Sequence, residues 1–335
     1  MATLTGTTLT YGVTSAGGNR EDLSDTIYDL FADDTFFLTN LNKTRSSATL
    51  HEWLGDTLVA AAANINREGN DGEFASIVSP IRFGNYAQIF KKEFLVSGTQ
   101  EAVSKAGRRT EGARQTVKQM REIKNDVEFA IVRNQAGTAG GATTGRSLAS
   151  METWIGATAP SASAATQVVL NTTTTANHVS PELASGVPGV APTDGTATGA
   201  LTVGTLNLAL QGAWDEGGRT DVIAASAIVK DDINSFAGVA TRNVDVARTA
   251  QASITGAADL YVSSFGIHKV VLHRHVRTSI VLCIDTSYWA MSALRDFFME
   301  RLAKTGDADK YSIRYEGTLE CRNWRANSKV VGIST

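Results

Sequence analysis

Between residues 108 and 136, apolar side chains recur at steps of three and four: Ala113, Val117, Met120, Ile123, Val127, Ala130 and Ile131. That period places them on one stripe of an α-helix. At 1.5 Å per residue the segment predicts a helix of roughly 43 Å, well beyond the usual three turns. Lys118 with Glu122 and Lys124 with Glu128 set opposite charges four residues apart, which supports an exposed helix face. Gly137, Gly140 and Gly141 supply the stop.

Two extended runs of mixed apolar and polar residues precede this helix, "TLHEWLGDTL" from Thr49 and "YAQIFKKEFLVSG" from Tyr86. The stretch "NINREGNDGEF" between them is rich in Asn, Gly and charge, the composition of a solvated hairpin tip. The pair predicts a protruding two-stranded arm, which has little core of its own and is marginally stable alone. Its apolar positions Trp53, Leu54, Ile89 and Phe90 call for a neighbour. Candidate contacts with that neighbour are Trp53, Arg67, Glu68, Asp71, Glu73, Lys91 and Lys92 on the arm. Arg108, Arg109 and Arg114 at the head of the helix join them.

The remaining pattern is mixed. Residues 1–48 are polar except for "EDLSDTIYDLF", where Asp22 or Ser24 can cap a short helix with Ile27, Leu30 and Phe31 on its apolar face. The rest of that segment reads as an arm that a partner surface must order. "RSLASMETWIG" predicts another short helix ending at Gly156, and the Ala, Thr, Ser and Gly of residues 157–200 predict a surface excursion with little core. Helical spacing resumes through Leu206, Leu210, Ala213 and Trp214. "DVIAASAIVKDDINSF" predicts a buried strand running into a helix, with Asp231 and Asp232 at the helix start, where negative charge is favourable. The last third alternates strand-like "HKVVLHRHV", "SIVLCID" and "SKVVGIS" with one helical piece, "SYWAMSALRDFFMERLA". The whole is mixed α+β without a simple βαβ repeat.

Composition narrows the function classes. A chain of 335 residues can form two or three subdomains, and a net charge of −3 gives no global signature of nucleic-acid binding. The long helix carries excess cation, through Arg121, Lys124 and Arg133 among others, but Glu111, Glu122, Asp126 and Glu128 offset much of it. Its face can meet acidic neighbours or, weakly, packaged nucleic acid. Cys283 and Cys321 are too few for a disulfide framework and lack metal-ligand spacing. No run reaches the roughly 18–20 apolar residues of a membrane span, and the N-terminus has no signal-peptide pattern. A soluble protein made and used in cytoplasm is the expectation.

Catalytic chemistry finds little support. "GGATTGRS" has the spacing of a phosphate-binding loop through Gly140, Gly145, Arg146 and Ser147, the basis of an alternative reading as a phosphate- or nucleotide-binding enzyme. Arg146 replaces the lysine of that motif, however, and the loop follows a helix where a strand is required. His273 and His275 could share one strand face, but no Glu or Cys nearby in sequence completes a metal set. His51 and Glu52 lack the second histidine of a zinc protease. No catalytic residue, metal or cofactor is expected.

The order of arm, extended hairpin, long helix and mixed α+β body resembles the major capsid proteins of tailed bacteriophages, which adopt the Hong Kong 97-type fold. The wording is similar to one branch of phage major head proteins, through "REDLSDTIYDLFADDTFFLT", "LHEWLGDTL", "FKKEFLVSGTQEAVSKAGRRTE", "KNDVEFAIV" and "LRDFFMERLAKTGDADKYSIRYEGTLECRNWRAN". The resemblance implies a shell of hexamers and pentamers around double-stranded DNA. It implies an N-terminal arm over 1–45, an E-loop over 46–98 and a peripheral domain over 99–156 with the spine helix. An axial domain would lie mainly over 201–310, and 311–335 would return to the peripheral domain. A portal, a separate scaffolding protein and a decoration protein are the partners it implies, with no membrane. It places the protein in the virion capsid, assembled in the host cytoplasm. Some members of the wider fold crosslink subunits through a lysine and an asparagine, but nothing here gives Lys91 or Lys92 that chemistry.

Overall fold

The computed structural model describes residues 27, 28, 30, 35–58, 61–65, 67–69, 77, 79–155, 167–169, 186–192, 199–236 and 260–334. Two sheets carry the body. The four-stranded sheet has the order β1 (Asn42–Arg45), β10 (Trp289–Leu302), β11 (Ala308–Cys321), β4 (Gln88–Ser97). The six-stranded sheet has the order β5 (Gln167–Val169), β12 (Ser328–Val331), β9 (Ile280–Ile284), β6 (Val222–Ala225), β8 (Gly266–Leu272), β7 (Leu260–Ser263). A separate hairpin pairs β2 (Leu50–Gly55) with β3 (Ile81–Tyr86). The strands "VIAA", "IVLCI" and "SKVV" are buried at every position. Such continuous burial needs cover on both faces of the sheet, and both faces have it. One face packs on α5 (Val203–Asp215) and α6 (Ala227–Asn234), through Leu206, Leu210, Val229, Ile223 and Val281. The other, through Ala224, Leu282 and Ile284, joins the larger core with α1 (Phe36–Asn40), α3 (Glu111–Val132) and α4 (Met151–Trp154).

The long helix is α3, which is shorter than the expected 108–136 because Thr110 and Arg133 are already extended. Its 22 residues span roughly 33 Å. Ile123, Val127 and Ile131 are fully buried, but Ala113 and Val117 stand in solvent, so only the C-terminal half of the stripe has a core beneath it. Lys118 meets Glu122 at 3.8 Å as the spacing predicts. Lys124 stays exposed, while Glu128 is buried with other partners.

Several expectations are corrected. The hairpin returns through "IRFGNY", not through "YAQIFKKEFLVSG": β4 instead pairs antiparallel with β11, Phe90 opposite Tyr315 and Phe94 opposite Tyr311. "SYWAMSALRDFFMERLA" is no helix but the 14-residue strand β10, paired with β11 along its length and with β1 over Asn42–Arg45. Pairing on two sides, with register irregularities around Arg295, overrides a good local helix propensity. Asp231 and Asp232 lie in the last turns of α6, and their carbonyls cap Ser235 N–H. "RSLASMETWIG" contributes only the single turn of α4, capped by Ser150. Within 157–200, β5 adds a strand parallel to β12, and Gly186 bridges β3. The chain passes from the six-stranded to the four-stranded sheet at Trp289 and back again after Cys321.

Candidate assembly interface

The hairpin is rooted in the body by buried polar side chains. The Glu320 carboxylate on β11 accepts from Thr44 Oγ1 at 3.1 Å, His51 Nε2 at 3.3 Å and Arg322 Nε at 2.9 Å. Three separate segments therefore meet on one carboxylate. The His51 hydrogen bond, together with Arg322 and Thr44, holds the Glu320 carboxyl down to about 2. Asn85 on β3 is fully buried and uses its whole amide. Its Nδ2 donates to the carbonyls of Ala149 at 3.0 Å and Leu319 at 2.8 Å, and its Oδ1 accepts from Ala149 N–H at 2.8 Å and Tyr86 N–H at 2.9 Å. Trp53 packs on Trp154 with ring centroids 5.4 Å apart, and Phe83 meets Trp324 edge-on at 4.6 Å.

A folded-state carboxyl below its ordinary value of 4.5 means that the unfolded chain binds more protons between pH 4.5 and about 2. The stabilisation from Glu320 is thus complete above pH 4.5 and is lost as pH falls to about 2. Glu320→Gln is expected to lower the unfolding temperature at pH 6 and to match wild type near pH 2. Calorimetry across that range checks it, and a difference that does not shrink with acid would mean that Glu320 is not the titrating anchor.

Beyond this root the arm turns outward. Leu54 is 68% and Leu58 99% exposed, and Ile65, Arg67 and Glu68 also lie in solvent. Asp71 and Glu73, also expected as contacts, lie outside the described residues. Trp53 is placed half-buried against the chain's own core, so Leu54, Leu58 and Ile65, and not Trp53, are apolar side chains that the arm presents. Lys91 pairs with Glu93 at 2.6 Å, and Lys92 with Asp126 of α3 at 2.8 Å, which ties β4 to the helix. At the head of α3, Arg108 and Arg114 both reach Glu111, leaving Arg109 as the exposed cation there.

Two features escaped the sequence. Glu128 in α3 is buried, its carboxylate accepting from Phe37 N–H and Leu38 N–H at 2.7 Å each and from His273 Nε2 at 2.9 Å. His273 Nδ1 accepts from His275 N–H at 3.2 Å, which assigns the ring proton to Nε2. The two histidines thus belong to a structural joint between α1, α3 and the turn after β8. The second is the Glu316 carboxylate, shared by Arg146 and by Arg295 at 2.7 Å. Arg146 Nε also donates to the Ala87 carbonyl at 3.1 Å. Arg146 is therefore committed to the fold, and the loop closes through Thr138 and Ser147 without opening a helix. The phosphate-binding reading is not supported. Among the described residues no group of three or more His, Cys, Asp or Glu side chains could hold a metal, and no helix is long and apolar enough to cross a membrane. Burial pushes the Cys283 thiol up to about 12, as befits a small core side chain.

Comparison with known proteins bears on what such an arm is for. The model of the SU10 major capsid protein family matches residues 3–334. Among solved structures, the Cyanophage A-1(L) capsid asymmetric unit is similar at a TM-score of 0.65 and 12% identity, over 95% of this chain and 98% of that one. The capsid of a native GTA particle follows at 0.61 and 11%, over 96% and 98%. A chain of Microbacterium phage Oxtober96 matches at 0.58 and 13%, over 94% and 95%. Curated proteins give no match. With its hairpin, α3 and two-sheet body in the Hong Kong 97-type arrangement, this chain belongs to the SU10 major capsid protein family and is a structural protein of a phage head shell.

Proposed function

We propose that the chain assembles into hexamers and pentamers in which the arm of each subunit lies on its neighbour. One observation carries this reading: the hairpin spends its polar root on its own subunit and leaves Leu54, Leu58 and Ile65 with no cover. Beyond that root, a two-stranded ribbon gains further stability from a surface supplied by another copy. The hairpin of β2 and β3 with its tip, the part of residues 46–98 that lies outside the four-stranded sheet, then acts as the E-loop, α3 as the spine and the four-stranded sheet with β4 as the peripheral domain. The six-stranded sheet with α5 and α6 forms the axial domain. Arg67, Glu68, Asp71, Glu73 and Arg109 set register across the contact, since charge complementarity contributes specificity more than affinity. The shell forms in the host cytoplasm around a portal, with separate scaffolding and decoration proteins, and meets packaged double-stranded DNA through weak contacts that salt screens.

The test is Leu54→Asp combined with Leu58→Asp. The variant subunit is expected to keep its circular dichroism and unfolding temperature, because neither side chain is in the core. It should need at least tenfold more protein than wild type to form shells in electron micrographs. Normal shells at the wild-type concentration would overturn the role of the arm, and a wild-type protein that stays monomeric at every concentration and salt would overturn assembly itself.

A further inference from the structure

The solvent face of α3 is basic. With Ile123, Val127 and Ile131 turned into the core, the outer stripe of the helix presents Arg114, Lys118, Arg121, Asn125, Phe129 and Arg133 at steps of three and four. Arg121 and Arg133 are exposed, and the side chains of Arg114 and Lys118 are 34% and 46% accessible. Most of the acids of the helix are engaged elsewhere. Glu128 is buried in the joint with His273, Asp126 is drawn to Lys92 of β4, and Glu111 is buried beside Arg108 and Arg114. Glu122 stands among the cations, 3.8 Å from Lys118. At its C-terminal end the stripe runs onto the turn after β8. The Arg133 guanidinium lies 4.8 Å over the Phe129 ring, Phe129 meets His275 edge-on at 5.6 Å, and the adjacent Arg274 is exposed. From Arg114 to Arg133 this ridge is about 28 Å long, the length of roughly eight base pairs.

The anchor of the arm points the other way. Along β11, Ile313, Tyr315, Leu319 and Cys321 turn to the core that α3 covers, and Glu316, Thr318 and Glu320 alternate with them on the opposite face of the sheet. His51 of the arm binds Glu320 on that opposite face. A neighbour engaged by the arm meets the side of the sheet away from α3 and leaves the ridge uncovered. In a chain of net charge −3, a ridge that sets Arg114, Lys118, Arg121 and Arg133 around Glu122 is a local reversal of sign. Its complement is a long, regular polyanion. A duplex carries one charge per about 1.7 Å of its axis, and each phosphate that a cation neutralises releases a condensed counterion.

We propose that the outer stripe of α3, from Arg114 to Arg133, is the surface on which the subunit meets double-stranded DNA. Its cations contact phosphates and read no bases, so the contact is independent of sequence. Arg133 and Arg274 close the ridge at the turn after β8. The proposal rests on the reading of the chain as a shell subunit with arms on one side and DNA on the other. Binding of a duplex to dissociated subunits needs no shell, however, so a failure of the ridge and a failure of assembly are seen separately.

The experiment is fluorescence anisotropy of a labelled duplex of about 24 base pairs, titrated with dissociated subunits between about 20 and 200 mM salt. Wild type is expected to bind with an affinity that falls linearly, on logarithmic axes, as salt rises. Lys118→Gln combined with Arg121→Gln should reduce that slope by about 2 and weaken binding at least tenfold at the lowest salt. Lys118→Gln alone should give about half the change in slope. Arg82→Gln combined with Lys91→Gln removes the same charge from exposed side chains on the arm's side, and should leave slope and affinity unchanged. Glutamine is as good a helix former as the residues it replaces, so circular dichroism should stay that of wild type. Wild type without salt-dependent binding, equal losses from both pairs, or a ridge pair that binds DNA as wild type does would each overturn the proposal. In the last case, a raised threshold for shell formation would make the ridge a contact between copies.

Discussion

Glu128→Gln is expected to destabilise the dissociated subunit by about 3 kcal/mol. The carboxylate receives three donors at once, Phe37 N–H, Leu38 N–H and His273 Nε2–H, in a site without solvent. An amide has one acceptor oxygen, and its NH₂ would face a backbone N–H or the imidazole N–H, so at least one buried donor loses its partner. Charge-assisted bonds to the remaining donors weaken as well. Glu122→Gln on the same helix is the control. Its partner Lys118 is 3.8 Å away on the surface, and such a pair contributes no more than about 1 kcal/mol. Urea unfolding of both variants tests the difference, and equal midpoints would show that Glu128 is not the joint between α1, α3 and the β8 turn. A second sign is expected in wild type against variant: faster exchange at Phe37 and Leu38.

Asn85→Ala is expected to cost about 4 kcal/mol and to loosen the arm before the rest of the subunit. The substitution strands the N–H and carbonyl of Ala149, the carbonyl of Leu319 and the N–H of Tyr86, all at the root of the hairpin. Asn85→Asp does not rescue it, because a carboxylate oxygen would then face two carbonyl oxygens. Exchange protection in Leu50–Gly55 and Ile81–Tyr86 should fall by at least a hundredfold, more than in α5, which belongs to the other core cluster. Assembly should fail together with the root, since an arm without fixed direction cannot present Leu54 and Leu58 in register. Uniform loss of protection across both cores would instead make Asn85 a general packing residue with no special hold on the arm.

The periodic segments were legible in the sequence. Steps of three and four through Ile123, Val127 and Ile131 located α3, and Leu206, Leu210 and Ala213 located α5. Unbroken apolar runs located β6 and β9, because a strand buried on both faces needs no polar positions, whereas β12 was marked only by Val330 and Val331 and also buries Ser328 and Lys329. The resemblance to phage major head proteins carried the fold and the family.

What only the tertiary structure decided was partnership. β10 is written in residues that suit a helix, and it is a strand because β1 and β11 flank it. The hairpin closes through β3 because β4 finds aromatic partners on β11, a choice made more than two hundred residues along the chain. Glu128 and Arg146 looked like a surface ion-pair member and a phosphate ligand, and became a buried joint and a structural clamp when His273 and Glu316 arrived from the far end of the sequence. Local periodicity sets which face of a segment is apolar, because that depends on a few neighbouring residues. Pairing register and the partner of a buried charge depend on contacts that exist only once distant segments have come together.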